Sequence, residues 1–191
     1  MKASKDLALF HIHFYGVLRR ARADKSTGVL TIGINHTNQD FKEFAEGTEW
    51  QNDTILQAWR YDMQWAESMA NLWLNQDVEQ NQFNAIVDLL LDDVFQLGYR
   101  PYTLLDMCKA HDDNACDQFL RWVIDKNNNT SLEHIRRAFA RRSLYLNCDY
   151  KCFLKPQLMV NNLEALNLAI KPYGYRAIQD NKKGYILERF S

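Results

Sequence analysis

The sequence predicts a mainly helical α+β protein with a small antiparallel β component, built as a helical bundle-like body followed by a C-terminal helix-hairpin unit. Three observations carry this prediction. Apolar residues recur at steps of three and four through most of the chain, as in Ile55, Trp59, Met63, Ala66 and Ala70. The run 28–34 is instead rich in β-branched residues, which suit a pleated strand. The chain ends in residues 175–179, a polar Asp-Asn-Lys-Lys-Gly turn and residues 185–190, a pattern that reads as strand, turn, strand.

Taken in order, Ser4 is placed to cap a first helix with Leu7, Phe10, Phe14 and Val17 on one face, and Arg19, Arg20 and Arg22 would suit its C-terminal dipole. Leu7, Leu9, His11 and His13 also fit a period of two, so a strand competes there. A strand over 28–34 and a turn at 35–38 follow, then a helical turn over 41–45. Asp53 is the expected N-cap of a long helix. Asn81 is the expected cap of the next, which carries Phe83, Ile86, Val87, Leu90, Val94 and Leu97 and stops at Gly98 before Pro101. Thr103 with Asp106 has a capping-box outline for a short helix through His111. A helix over 115–124, one capped by Ser131 and one running from Pro156 to Ile170 complete the helical set.

Composition narrows the class further. The 191 residues are 47% hydrophobic and 13% aromatic with three prolines, far from a disordered chain. No run approaches the roughly 18 apolar residues of a membrane span, so no membrane partner is expected. The N-terminus lacks a secretion-type leader pattern, and four cysteines suit reduced thiols, so a cytoplasmic setting is expected.

The formal net charge of −1 conceals a strong segregation. Residues 1–26 hold six basic and two acidic side chains, 27–130 hold six and seventeen, and 131–191 hold eleven and five. The sign reverses at the polar run 126–129, which is the predicted linker. It separates an acidic helical body, 1–128, from a basic unit, 129–191.

The order of helix, Gly174-Tyr175, Ile178, polar loop and Lys183-Gly184-Tyr185 resembles the recognition helix and wing of winged-helix DNA-binding domains over about residues 157–190. The resemblance implies Asn161, Asn162 and Asn167 as base-edge readers and Arg176, Lys182 and Lys183 as phosphate contacts. The arginines Arg136, Arg137, Arg141 and Arg142 lie one helix earlier and add to the expected nucleic-acid surface.

The leading expectation is therefore a non-enzymatic accessory or regulatory protein that binds DNA or a nucleoprotein complex, without a cofactor. An alternative is a protein interaction module in which Asp88, Asp92, Asp93, Asp106, Asp112, Asp113 and Asp117 meet a basic partner, with DNA mimicry as one form of it. A metal-dependent hydrolase ranks third. Cys108, His111, Cys116, Cys148 and Cys152 are the only residues with a zinc-ligand flavour, and they lack the Cys-x2-Cys knuckle. No Gly-rich phosphate loop or nucleophile elbow is present.

Overall fold

The computed structural model describes residues 1–23, 28–37, 40–74, 78–91, 102–123, 130–153, 162–182 and 184–190. It is mainly helical with two small antiparallel sheets, as the apolar spacing predicts. The chain divides into two compact units, Met1–Met69 and Ala70–Ser191. Residues 126–129, the linker suggested by charge, lie outside the described residues.

In the first unit, Ser4 caps helix α1 (Lys5–Tyr15), its hydroxyl accepting from the Asp6 amide at 3.2 Å. The helix stops at Gly16, whose φ of 71° turns the chain out of the helical path while its N–H still bonds Ile12 O. The arginines expected at the end of this helix therefore sit on strand β1 (Leu18–Ala23), where Arg19, Arg20 and Arg22 are exposed and Ala21 is buried. Strand β2 (Leu30–Gly33) pairs antiparallel with β1, matching Leu18 to Gly33 and Ala23 to Leu30.

A further segment lines the other edge of β1. Ala21 donates to Thr48 O at 2.8 Å and Trp50 donates to Arg19 O at 2.9 Å, so backbone groups of that edge are met. Helix α2 (Asn52–Trp73) begins one residue before the expected cap, and Ile55, Ala58, Trp59, Met63 and Ala66 are buried along its inner stripe. Gly33 (φ 67°) lies so close to α2 that a Cβ there would meet Ile55 at 3.4 Å. The helical turn expected over 41–45 is an irregular segment.

In the second unit, α3 (Gln80–Leu90) starts from a capping box of Glu79 and Gln82 rather than from Asn81, whose side chain donates to Tyr145 O at 2.6 Å. Its expected continuation to Leu97 and the stop at Gly98 lie outside the described residues. Helix α4 (Tyr102–Lys109) lies where a helix is expected, but it contains Thr103 instead of being capped by it, and it ends two residues before His111. Beyond it, residues 113–121 form a 3-10 helix instead of an α-helix, entered through Asp112, which accepts from the Asn114 amide at 2.8 Å.

Helix α5 (Leu132–Tyr145) is capped by Ser131 as predicted and packs on α3 and the 3-10 helix. Helix α6 (Leu163–Ile170) is capped by Asn162, and the expected start at Pro156 lies outside the described residues. The hairpin follows as β3 (Tyr175–Asp180) and β4 (Gly184–Arg189), in register from Tyr175 opposite Arg189 to Asp180 opposite Gly184. Phe83, Ile86, Phe119, Ile135, Phe139 and Phe153 form the core of this unit.

Candidate functional site

The charges that suggested an outward nucleic-acid face are spent inside the second unit. Asp88, fully buried on α3, accepts from Arg137 Nη2 at 2.9 Å and Arg141 Nε at 2.7 Å, and the Arg141 side chain is itself fully buried. Arg142 donates to Asp117 at 2.7 Å, and Arg136 pairs with Glu133 on its own helix. Burial works against the Arg142 charge, but the Asp117 carboxylate together with Cys116 and Tyr175 outweighs it and the guanidinium pKa is raised. Segregated charge in sequence has become paired charge in space.

The supposed wing residues are structural in the same way. Asn167 accepts from Ala177 N at 2.6 Å and donates to Ala177 O at 3.0 Å, so it fastens α6 to β3 as a strand neighbour would. Asn162 caps α6, and Arg176 pairs with Glu188 across the hairpin at 2.8 Å. Lys182 stays exposed in the turn, while Asn161 and Lys183 lie outside the described residues.

Of the acidic set, Asp88 and Asp117 are committed to arginines and Asp112 caps the 3-10 helix. Asp106 and Asp113 are exposed, and Asp92 and Asp93 lie outside the described residues. Cys108 is buried with its sulfur 3.4 Å from the Tyr145 hydroxyl, and burial pushes both that thiol and that phenol upward. Cys116 is buried near Asp117, His111 sits in a turn with φ 53°, and Cys148 and Cys152 are exposed. Among the described residues no three His, Cys, Asp or Glu side chains gather as a metal would require. No described helix is long and apolar enough to cross a membrane.

Sequence reasoning passed over the first unit as a place of function. There β1 exposes Arg19, Arg20 and Arg22, Val29 is exposed just before β2, and Thr31 of β2 is half-buried. Asp24, outside the described residues, falls between the two strands in sequence and is the only acid from Leu7 to Gln39. The hairpin is held from behind by a buried polar frame. Asp62 on α2 binds His36 Nδ1 through both carboxylate oxygens at 2.8 and 2.9 Å, and Phe41, Phe44 and Trp50 pack their rings against that imidazole. Deeper, Trp59 Nε1 donates to His11 Nδ1 at 2.9 Å, joining α2 to α1.

A unit of one helix, a β-hairpin and a long second helix, continued by a helical unit, defines a class of α+β protein, and comparison with known folds places it. A crystal structure of P22 lysozyme carrying a leucine-to-methionine substitution matches with a TM-score of 0.63 at 25% identity, over 76% of this chain and 99% of that one. An endolysin from Escherichia coli O157:H7 phage FAHEc1 matches at 0.68 and 20% identity, over 77% and 94%. The muramidase domain of SpmX from Asticaccaulis excentricus matches at 0.60 and 22% identity, over 76% and 97%.

The family model for phage lysozyme matches residues 13–142, and this chain belongs to the phage lysozyme family. No curated protein matches the sequence.

These findings correct the sequence reading. A family match over residues 13–142 stands in place of the short winged-helix likeness, whose described residues form a hairpin fastened to a helix. A lysozyme family match, with lysozyme, endolysin and muramidase neighbours, overturns both the non-enzymatic expectation and the nucleic-acid-binding one. The strand over 28–34 and the turn after it are legible in the sequence, but the burial of His36 behind them is not.

Proposed function

We propose that this chain is a lysozyme-type glycoside hydrolase that cuts the glycan strands of bacterial cell walls. The supporting observation is the family match over residues 13–142, which runs from the end of α1 through the hairpin and on to α5. Glycosidic cleavage of this kind uses two carboxyl groups flanking the scissile bond, one to protonate the leaving oxygen and one to serve as nucleophile or base. Asp24 falls between β1 and β2 in sequence and is assigned one of these roles.

The test is release of reducing ends from purified cell-wall sacculi by the full chain and by Asp24→Asn. The wild type should release them, and the variant should lose about a hundredfold or more of the rate, the lower end of what a positioned acid or base supplies. Equal rates would overturn the assignment of Asp24.

A second reading is recognition of wall glycan without cleavage. It is favoured by one observation: α1 ends in His11, His13 and Tyr15, and β1 and β2 hold no acid, so this segment brings Asp24 alone. Co-sedimentation with sacculi, unaccompanied by reducing-end release at any pH, would support this reading over the first.

A further inference from the structure

The family match ends at Arg142, yet α6, β3 and β4 lie beyond it, and this hairpin lines an open cavity of about 480 Å3 together with the 3-10 helix and Thr130. That volume lies within the ~300–1,000 Å3 of small-molecule sites. We propose that this cavity is a second carbohydrate site that takes an acidic sugar, its ring against Tyr175 and Tyr185 and its carboxylate on Arg121 and Arg189. The choice of a sugar rests on the wall-glycan reading above; the choice of an anion does not.

The anion follows from charge. Among the described residues the wall holds three charged side chains: Asp117, Arg121 and Arg189. Asp117 already receives Arg142 at 2.7 Å, so its charge is offset from behind. Among the described residues neither Arg121 nor Arg189 meets a carboxylate, and both line this cavity. A planar fork of donors of this kind is suited to a carboxylate.

The ring-shaped partner follows from the strand. Alternation along β4 puts Tyr185, Leu187 and Arg189 on one face, and the register sets Arg189 opposite Tyr175. The Arg189 guanidinium lies 5.8 Å from the centre of the Tyr175 ring, so cation and aromatic surface are presented together. Gly184 approaches the backbone of Thr130 closely. A Cβ on Gly184, which has φ 82°, would come within 2.5 Å of Thr130 O, so only glycine lets the strand seat on that backbone.

The experiment titrates the full chain with N-acetylmuramic acid, with N-acetylglucosamine as the ring lacking its lactyl carboxylate, and with inorganic phosphate, following backbone amide shifts by NMR. The acidic sugar should shift Tyr185, Leu187 and Thr130 and bind at least tenfold more tightly than either control. The double variant R121Q/R189Q and Tyr185→Leu should each weaken it at least tenfold, with unchanged thermal midpoints. Arg176→Gln, on the other face of the hairpin, should leave it intact. If R121Q/R189Q unfolds, Gly184→Val supplies the second arm and should abolish those shifts by unseating the hairpin.

Equal binding of phosphate, affinity unaffected by the variants, or shifts confined to residues 1–69 would overturn the proposal. Reducing-end release from sacculi is measured on the same samples. Cleavage without sugar-acid binding defeats this inference alone, and sugar-acid binding without cleavage upholds it while defeating the hydrolase reading.

Discussion

Asp88→Ala is the perturbation that bears hardest on the way charge is used here. The carboxylate is fully buried and holds two arginines, at 2.9 and 2.7 Å, one of them with a side chain that is also fully buried. Removing one partner of such a pair leaves the other charge stranded in a low-dielectric core, which costs about 3–5 kcal/mol. For a chain of this size, where 1 kcal/mol moves the midpoint by ~2–4 °C, the expected fall in Tm is about 6–20 °C. Arg176→Gln breaks an ion pair whose side chains are both about half exposed, and should cost under about 1 kcal/mol. Urea unfolding followed by circular dichroism measures both. The paired change of Asp88→Leu with Arg141→Met should recover most of the loss, because apolar replacements of a buried pair are often neutral. An Asp88→Ala protein within about 1 kcal/mol of wild type would refute the claim that the arginines of α5 are held by this carboxylate.

Other outcomes follow from the same structure. Iodoacetamide at pH 8 should modify Cys148 and Cys152, which are exposed, and spare Cys108 and Cys116, which are buried. The sign is that burial raises both buried thiols, so their reactive thiolate is scarcer than usual at a given pH; mass spectrometry before and after denaturation counts two and then four adducts. Trp59→Phe removes the donor to His11 Nδ1 in the first unit and should cost about 1–3 kcal/mol in urea unfolding. Duplex DNA should not be retained in a salt-titrated gel shift, since Arg136, Arg137, Arg141 and Arg142 all meet carboxylates; retention with a steep salt slope would contradict that pairing.

Elements whose physics is local were legible in the sequence. The Ser4 and Ser131 caps, the buried stripe of α2, the strand in 28–34 and the terminal hairpin each follow from a few neighbouring residues. Misreadings arose where two local rules competed. Arginines suit a helix end and so mask Gly16 as the stop, and Asn81 has the look of a cap although Glu79 and Gln82 form the box. The candidate site was misjudged for a different reason: a basic run in sequence carries no information on whether carboxylates some fifty residues away will meet it, as Asp88 meets Arg137 and Arg141.

By itself the sequence determined the helical class, most element positions and the segregation of charge, because periodicity, caps and turns act over a few residues. Only the tertiary structure decided that α5 turns its arginines inward, that Asp62 and His36 brace the first hairpin, and that the C-terminal hairpin lines a cavity beside two arginines that meet no carboxylate among the described residues. Those outcomes depend on pairings between distant segments, whose energy is set by burial and separation in space, and neither quantity is written in the order of the residues.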